Sequence, residues 1–121
     1  MTEHEIQSNI RVHIAKQKLG VCFRVNVGTA WTADKAIKNP DGTITLINPR
    51  RFVSGVPAGF SDLFGVTNTG KAVFVEVKSK TGKTSKPQQH FLSVMHQLGA
   101  YTGIARSPKE AEMIYRGQNY D

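Results

Sequence analysis

Residues Ala72-Val-Phe-Val-Glu-Val-Lys-Ser79 put two opposite charges into a run that otherwise reads as a buried β-strand. Successive strand side chains point to opposite faces, so Glu76 and Lys78 share one face and Val77 takes the other. A charge left there without its partner would cost roughly 3–5 kcal/mol. The acid and the ammonium are therefore expected to reach a cleft together.

Upstream, Asp62 to Val66 forms a second β-rich run, separated from the first by Thr67-Asn-Thr-Gly70, a tight-turn composition. The two runs are read as antiparallel strands. Thirteen residues lie between Asp62 and Glu76, enough for a hairpin that brings Asp62 alongside the Glu-x-Lys pair. Two converging carboxylates suit a hard cation such as Mg²⁺, which takes oxygen ligands and keeps several waters. A backbone carbonyl, that of Val77, is the expected third protein ligand. Such an ion polarises a phosphodiester and acidifies bound water, while the Lys78 ammonium orients the nucleophile or offsets developing charge. The expectation is phosphodiester hydrolysis.

Working outward, residues 3–19 read as an amphipathic helix with Ile6, Ile10, His13, Ile14 and Gln17 along one stripe, ended by Gly20. Thr2 and Glu5 form a capping box, which gives Glu5 a structural task. Glu3 instead projects from the core-facing stripe, so an acid at that place needs another explanation. Cys22 to Val27 alternates Phe23, Val25 and Val27 against Arg24 and Asn26, a half-buried strand. Residues 28–59 carry a weaker pattern and are read as a mobile, partly ordered excursion. Within it, Ile44 to Ile47 and Arg51 to Val53 are candidates to pair with each other beyond the turn Asn39-Pro-Asp-Gly42. After a loop at 81–87, a helix is expected over 88–98, burying Phe91, Leu92, Met95 and Leu98 and ended by Gly99. A strand over 101–106 and a last helix announced by Ser107-Pro-Lys-Glu110 complete the chain. This order describes an α/β sandwich around one mixed sheet.

A chain of 121 residues suits one domain, taken as 1–121. Hydrophobic residues are 39% and charged residues 21%, which supports a core and excludes a disordered polyelectrolyte. No apolar run approaches the roughly 20 residues of a membrane span, and the first residues lack a secretory signal pattern. A cytoplasmic location, in a bacterial or phage-infected cell, is expected. One cysteine, Cys22, excludes an internal disulfide and a thiolate zinc cluster. The formal charge of +7 favours a polyanionic partner, with nucleic acid foremost. No G-x-G-x-x-G or Walker pattern is present, so no nucleotide cofactor is expected.

Gly59-Phe-Ser-Asp62 followed by Glu76-Val-Lys78 resembles the PD-(D/E)XK nuclease signature, and most closely its VRR-NUC branch. The resemblance extends over nearly the whole chain: Glu3, Asp62, Glu76, Lys78 and Gln88 fall in the branch's order. Ser61 stands where the branch has proline before the aspartate. The resemblance implies a restriction-endonuclease-like three-layer sandwich, with Asp62 and Glu76 holding Mg²⁺ or Mn²⁺. It also implies Glu3 near metal-bound water or a second ion, and Gln88 pointing back to the site from Gln88-Gln-His-Phe91, with Gln89 as its rival. It further implies action on branched DNA such as Holliday junctions, as a homodimer. A small chain has little surface with which to grip a junction, which independently favours two copies.

Each feature also has a plainer reading. A lone Glu-x-Lys fits an ion pair, Asp62 could cap a turn, and Gln88 could be an ordinary first-turn residue. Lys80, Lys83 and Lys86 continue from Lys78 as a basic run suited to a phosphate backbone, though a solvated loop suits the last two equally. Arg50 and Arg51 in the excursion are further candidates for DNA contact. Trp31 either stacks on a base or packs the excursion. His4, His13, His90 and His96 lack paired metal spacing, and His13 is read as a satisfied core histidine. The competing class is a nucleic-acid-binding module on a nuclease-like fold without turnover.

Overall fold

Turn chemistry and apolar alternation build a hairpin at the centre of the molecule. In the computed structural model, which describes residues 1–118, β6 (Leu63–Thr67) and β7 (Ala72–Val77) pair antiparallel, Leu63 opposite Val75 and Phe64 opposite Phe74. Gly70 N–H donates to the Thr67 carbonyl and Thr67 N–H to that of Lys71, closing the expected turn. Around this hairpin lie α1 (Glu3–Lys16), β1 (Gly20–Arg24), α2 (Lys86–Gln97), β8 (Tyr101–Ala105) and α3 (Pro108–Tyr115). The main sheet has the order β1-β6-β7-β8, antiparallel except for the parallel β7/β8 pair. A parallel neighbour requires a long crossover, and α2 supplies it.

Strand alternation divides the core in two. Val73, Val75 and Val77 meet Ile6, Ile10 and Ile14 of α1 and Ala111, Ile114 and Tyr115 of α3. On the opposite face Phe74 meets Phe60, Phe64, Phe91 and Leu92, with aromatic centroids 4.6–5.8 Å apart. Helices thus cover both faces of a mixed sheet, the three-layer α/β arrangement expected from the sequence. Ile10 is fully buried in the first cluster, and Ile10→Ala is expected to cost about 2–5 kcal/mol through lost transfer energy and a cavity. A urea titration checks this, a change under 1 kcal/mol contradicting the packing.

Several local expectations need correction. Helix α1 stops at Lys16 with Gln17 as its C-cap and exposed, because the chain reverses at Lys18, whose φ of +54° occupies the left-handed position. Gly20 begins β1 instead of ending the helix, and a Cβ there would lie 2.1 Å from the Val66 carbonyl oxygen. The strand covers Gly20–Arg24, and its inward face carries Cys22 while Phe23 stays 54% exposed. The reason lies in the layers: α1 and α3 cover Cys22, whereas α2 lies over β7 and β8 and leaves Phe23 without a cover. Leu98 is the C-cap of α2 and is 76% exposed.

The excursion is regular. Strand β2 (Thr29–Thr32) pairs with β5 (Arg50–Val53), and β3 (Lys35–Lys38) pairs with β4 (Ile44–Ile47), two nested antiparallel ribbons. Ile44–Ile47 and Arg50–Val53 therefore do not pair with each other. The Asn39-Pro-Asp-Gly42 turn closes the inner ribbon, with Gly42 N–H donating to the Asn39 carbonyl. Trp31 lies opposite Arg51 and is exposed, so it does not pack the arm onto the sheet. His13 is half-buried and bonded to Glu112 at 2.7 Å, joining α1 to α3.

Candidate active site

Continuing the β6/β7 register by one residue sets Asp62 opposite Glu76. Directly opposed residues share a face, so the hairpin alone brings the two carboxyl groups together. Asp62 is fixed on both sides: its carbonyl accepts from Val25 N–H at 2.8 Å and its Oδ2 from Val77 N–H at 2.9 Å. Ser61, which stands where the resembled signature has a proline, is fully buried and donates its hydroxyl to the Leu63 carbonyl at 2.9 Å. A hydrogen bond here does the stiffening that a ring would do. Gly59 has a φ of +87°, and a Cβ there would meet the Pro87 carbonyl oxygen at 2.6 Å. The glycine lets the Asp62 segment lie directly against the start of α2.

Glu76 is 1% exposed. Its Oε1 accepts from Gln88 Nε2 at 3.1 Å and lies 4.0 Å from Lys78 Nζ, which confirms the shared strand face. Its Oε2 is buried and accepts no hydrogen bond among the described residues. Burial pushes the Glu76 pKa up to about 9, and the hydrogen bond and charge of Asp62 push the same way. Glu3 adds to that field and Lys78 opposes it.

Gln88 serves two neighbours. Its Oε1 accepts from Ser85 N–H at 2.9 Å within a capping box, while its amide nitrogen reaches Glu76. Gln89 turns away to Thr84, so of the two glutamines it is Gln88 that contacts Glu76. Helix α2 starts at Lys86, two residues earlier than expected, because Ser85 is its N-cap. Glu3 reaches round the end of β7, its Oε2 accepting from Ser79 N–H at 3.4 Å. Glu5 stays in the capping box with Thr2, as the spacing predicted.

Lys80 and Lys83 are exposed on the segment after Lys78, and Lys86 is exposed at the first position of α2. Arg51 is exposed on the arm, where Arg50 pairs with Asp34 at 3.0 Å. Arg106 escaped sequence reading. From the end of β8 its Nη1 donates to the carbonyls of Ser79 and Gly82, at 2.5 and 2.8 Å. Only the parallel β7/β8 pairing brings it there, a long-range contact with no local sequence signal.

Among the described residues, no three His, Cys, Asp or Glu side chains meet to cage an ion by themselves. Two opposed carboxylates suit an ion that keeps much of its shell as water. A groove of about 240 Å³ between α2 and β8 is lined by Gln89, Leu92, Ser93, His96, Thr102 and Ile104. No carboxylate lines it, whereas Asp62 and Glu76 stand opposite each other at the end of the β6/β7 hairpin.

A mixed sheet with helices on both faces, bearing two acids and an ammonium at adjoining strand ends, defines a nuclease-type α/β sandwich. The VRR-NUC domain model matches residues 1–108, and the chain belongs to the VRR-NUC domain family. It is thus a nuclease-type module that acts on nucleic acid, from a superfamily that generally uses divalent metals. No curated protein matches the chain.

Proposed function

We propose that this protein is a divalent-metal-dependent endodeoxyribonuclease that hydrolyses phosphodiester bonds at the Asp62, Glu76 and Lys78 cluster. The observation that carries the reading is the buried Glu76 Oε2, which accepts no hydrogen bond among the described residues, beside a second carboxyl group. A buried acceptor left without a donor costs about 1–3 kcal/mol, so a cation is the partner its position suits. Asp62 and Glu76 would hold Mg²⁺ or Mn²⁺, and the Val77 carbonyl is proposed as a backbone ligand. When bound, the ion supplies Lewis acidity and an acidified water.

The chain's own residues do the rest. Gln88 fixes one Glu76 oxygen and leaves the other free. Val77 N–H holds one Asp62 oxygen, which sets the carboxyl plane. The Lys78 ammonium stands on the same strand face as the acids, where it orients the attacking water or offsets charge developing on the phosphate. Glu3 orders water at the same end of β7. Lys80, Lys83 and Lys86, with Arg50 and Arg51 on the arm, track the DNA backbone and make binding salt-sensitive. The whole chain, 1–121, acts as one domain in the cytoplasm. Branched DNA, such as a four-way junction, is the favoured substrate, and the working form is a homodimer with two such sites.

Labelled linear, flapped and four-way DNA incubated with Mg²⁺ or Mn²⁺ tests the reading. Cleavage strongest on branched DNA, absent in chelator and absent for Asp62→Asn, is the expected result. DNA binding without cutting in either metal, at any protein concentration, would identify a binding module instead. Light scattering that shows only monomer at working concentrations would remove the dimer.

A further inference from the structure

Arg106 has no place in the expected site, yet its guanidinium holds the turn that directly follows Lys78. Its Nη1 bridges the carbonyls of Ser79 and Gly82, which are themselves joined by a Gly82 N–H bond to the Ser79 carbonyl at 3.2 Å. This turn directly follows Lys78, and its first N–H donates to Glu3 Oε2. Gly82 of the turn also lies close to Glu3. A Cβ on Gly82 would lie 3.1 Å from Glu3 Oε2, 3.1 Å from Ser79 Oγ and 3.5 Å from Lys78 Cδ. Arg106 is held in turn, its own N–H donating to Glu110 Oε1 at 2.8 Å at the start of α3.

We infer that Arg106 is a positioning residue for the hydrolytic site: it locks the Ser79 to Gly82 turn and so sets where Glu3 and Lys78 stand. The inference rests on the nuclease reading proposed above. Three parts of the fold converge on one short turn: α1 through Glu3, β7 through Lys78 and the β8/α3 junction through Arg106. Neither Glu3 nor Lys78 has a bond to Arg106, so its influence passes through the backbone of that turn. An arginine suits the task because its charge strengthens both carbonyl bonds and persists across the working pH range. Displacements of about 1 Å at a catalytic group can cost on the order of 100-fold in rate. Loosening the turn is an adequate lever for such a displacement.

The test compares cleavage by wild type, Arg106→Ala, Arg106→Lys, Glu3→Gln and the Arg106→Ala/Glu3→Gln double variant. Arg106→Ala is expected to lower kcat by about 10- to 100-fold with KM changed less than about threefold, and Arg106→Lys to recover part of the loss. In the Glu3→Gln background the further effect of Arg106→Ala should be smaller than in wild type, the part that passes through Lys78 remaining, because residues acting as one unit are non-additive. Gly82→Ala probes the same turn with the Arg106 side chain retained, and keeps the test alive if Arg106→Ala does not fold. It too should lower kcat and spare KM. Wild-type kcat in Arg106→Ala and Gly82→Ala, or fully multiplicative losses in the double variant, would overturn the inference. Asp62→Asn separates the two levels: cleavage surviving in that variant defeats the nuclease reading itself, whereas an inactive Asp62→Asn beside a fully active Arg106→Ala defeats only the role given to Arg106.

Discussion

Glu76→Gln is expected to stop cleavage and, in the absence of metal, to make the protein more stable. With its pKa raised from 4.5 to about 9, Glu76 stays protonated in the folded state while the unfolded chain ionises. Its contribution to stability is fully present below pH 4.5 and is lost as pH rises through about 9. Within that window the unfolded state binds fewer protons, so stability falls with a limiting slope of about 1.4 kcal/mol per pH unit. Glutamine has no proton to release and keeps an oxygen for Gln88. Its melting temperature in chelator should therefore be flat across the window, and above the wild type's at pH 8.5. A divalent cation favours the carboxylate and should stabilise wild type far more than the variant. Thermal melts at pH 5, 7 and 8.5, with chelator and with Mg²⁺, check this. A wild-type protein whose stability in chelator rises towards pH 8.5 would contradict it. A site that destabilises its own fold in this way is a familiar cost of function.

Removal of the ammonium should be nearly as damaging to turnover. Lys78→Ala is expected to lower kcat by about 100- to 1000-fold, the loss typical for a donor aimed at developing charge. DNA binding should weaken by less than about tenfold, since Lys80, Lys83 and Lys86 persist and one cation is a small part of the salt-dependent term. Lys78 opposes the rise in the Glu76 pKa, so its loss moves that group further up. The residual activity should then need a more alkaline buffer than the wild type's. A pH–rate profile with fluorescence anisotropy for binding checks both parts. Wild-type kcat with weakened binding would reassign Lys78 to DNA contact.

The hairpin and the placement of its acids and ammonium were legible because their signals are local. Alternation set Glu76 and Lys78 on one face, the Thr67 to Gly70 turn brought Asp62 opposite Glu76, and the capping box separated Glu5 from Glu3. The apolar stripe of α1 and the N-caps of α1 and α3 were readable for the same reason. Features that depend on which layer covers a strand were not. The alternation in β1 was correct as a period but wrong as a direction: Phe23 faces solvent because α1 packs on the opposite face of β1 and α2 sits over β7 and β8. The arm has strong local β signals, yet which strand met which depended on nesting, and Ile44–Ile47 found Lys35–Lys38 instead of Arg50–Val53.

Sequence by itself therefore determined the mixed α/β class, the central hairpin and the acids and ammonium it carries, since periodicity, turn residues and capping act over a few neighbouring residues. Tertiary structure alone decided the parallel pairing that delivers Arg106 to the turn after Lys78, and the burial that leaves one Glu76 oxygen without a donor. Both depend on contacts between segments far apart in the chain, where the free energy comes from layers packing together and no short stretch records the outcome.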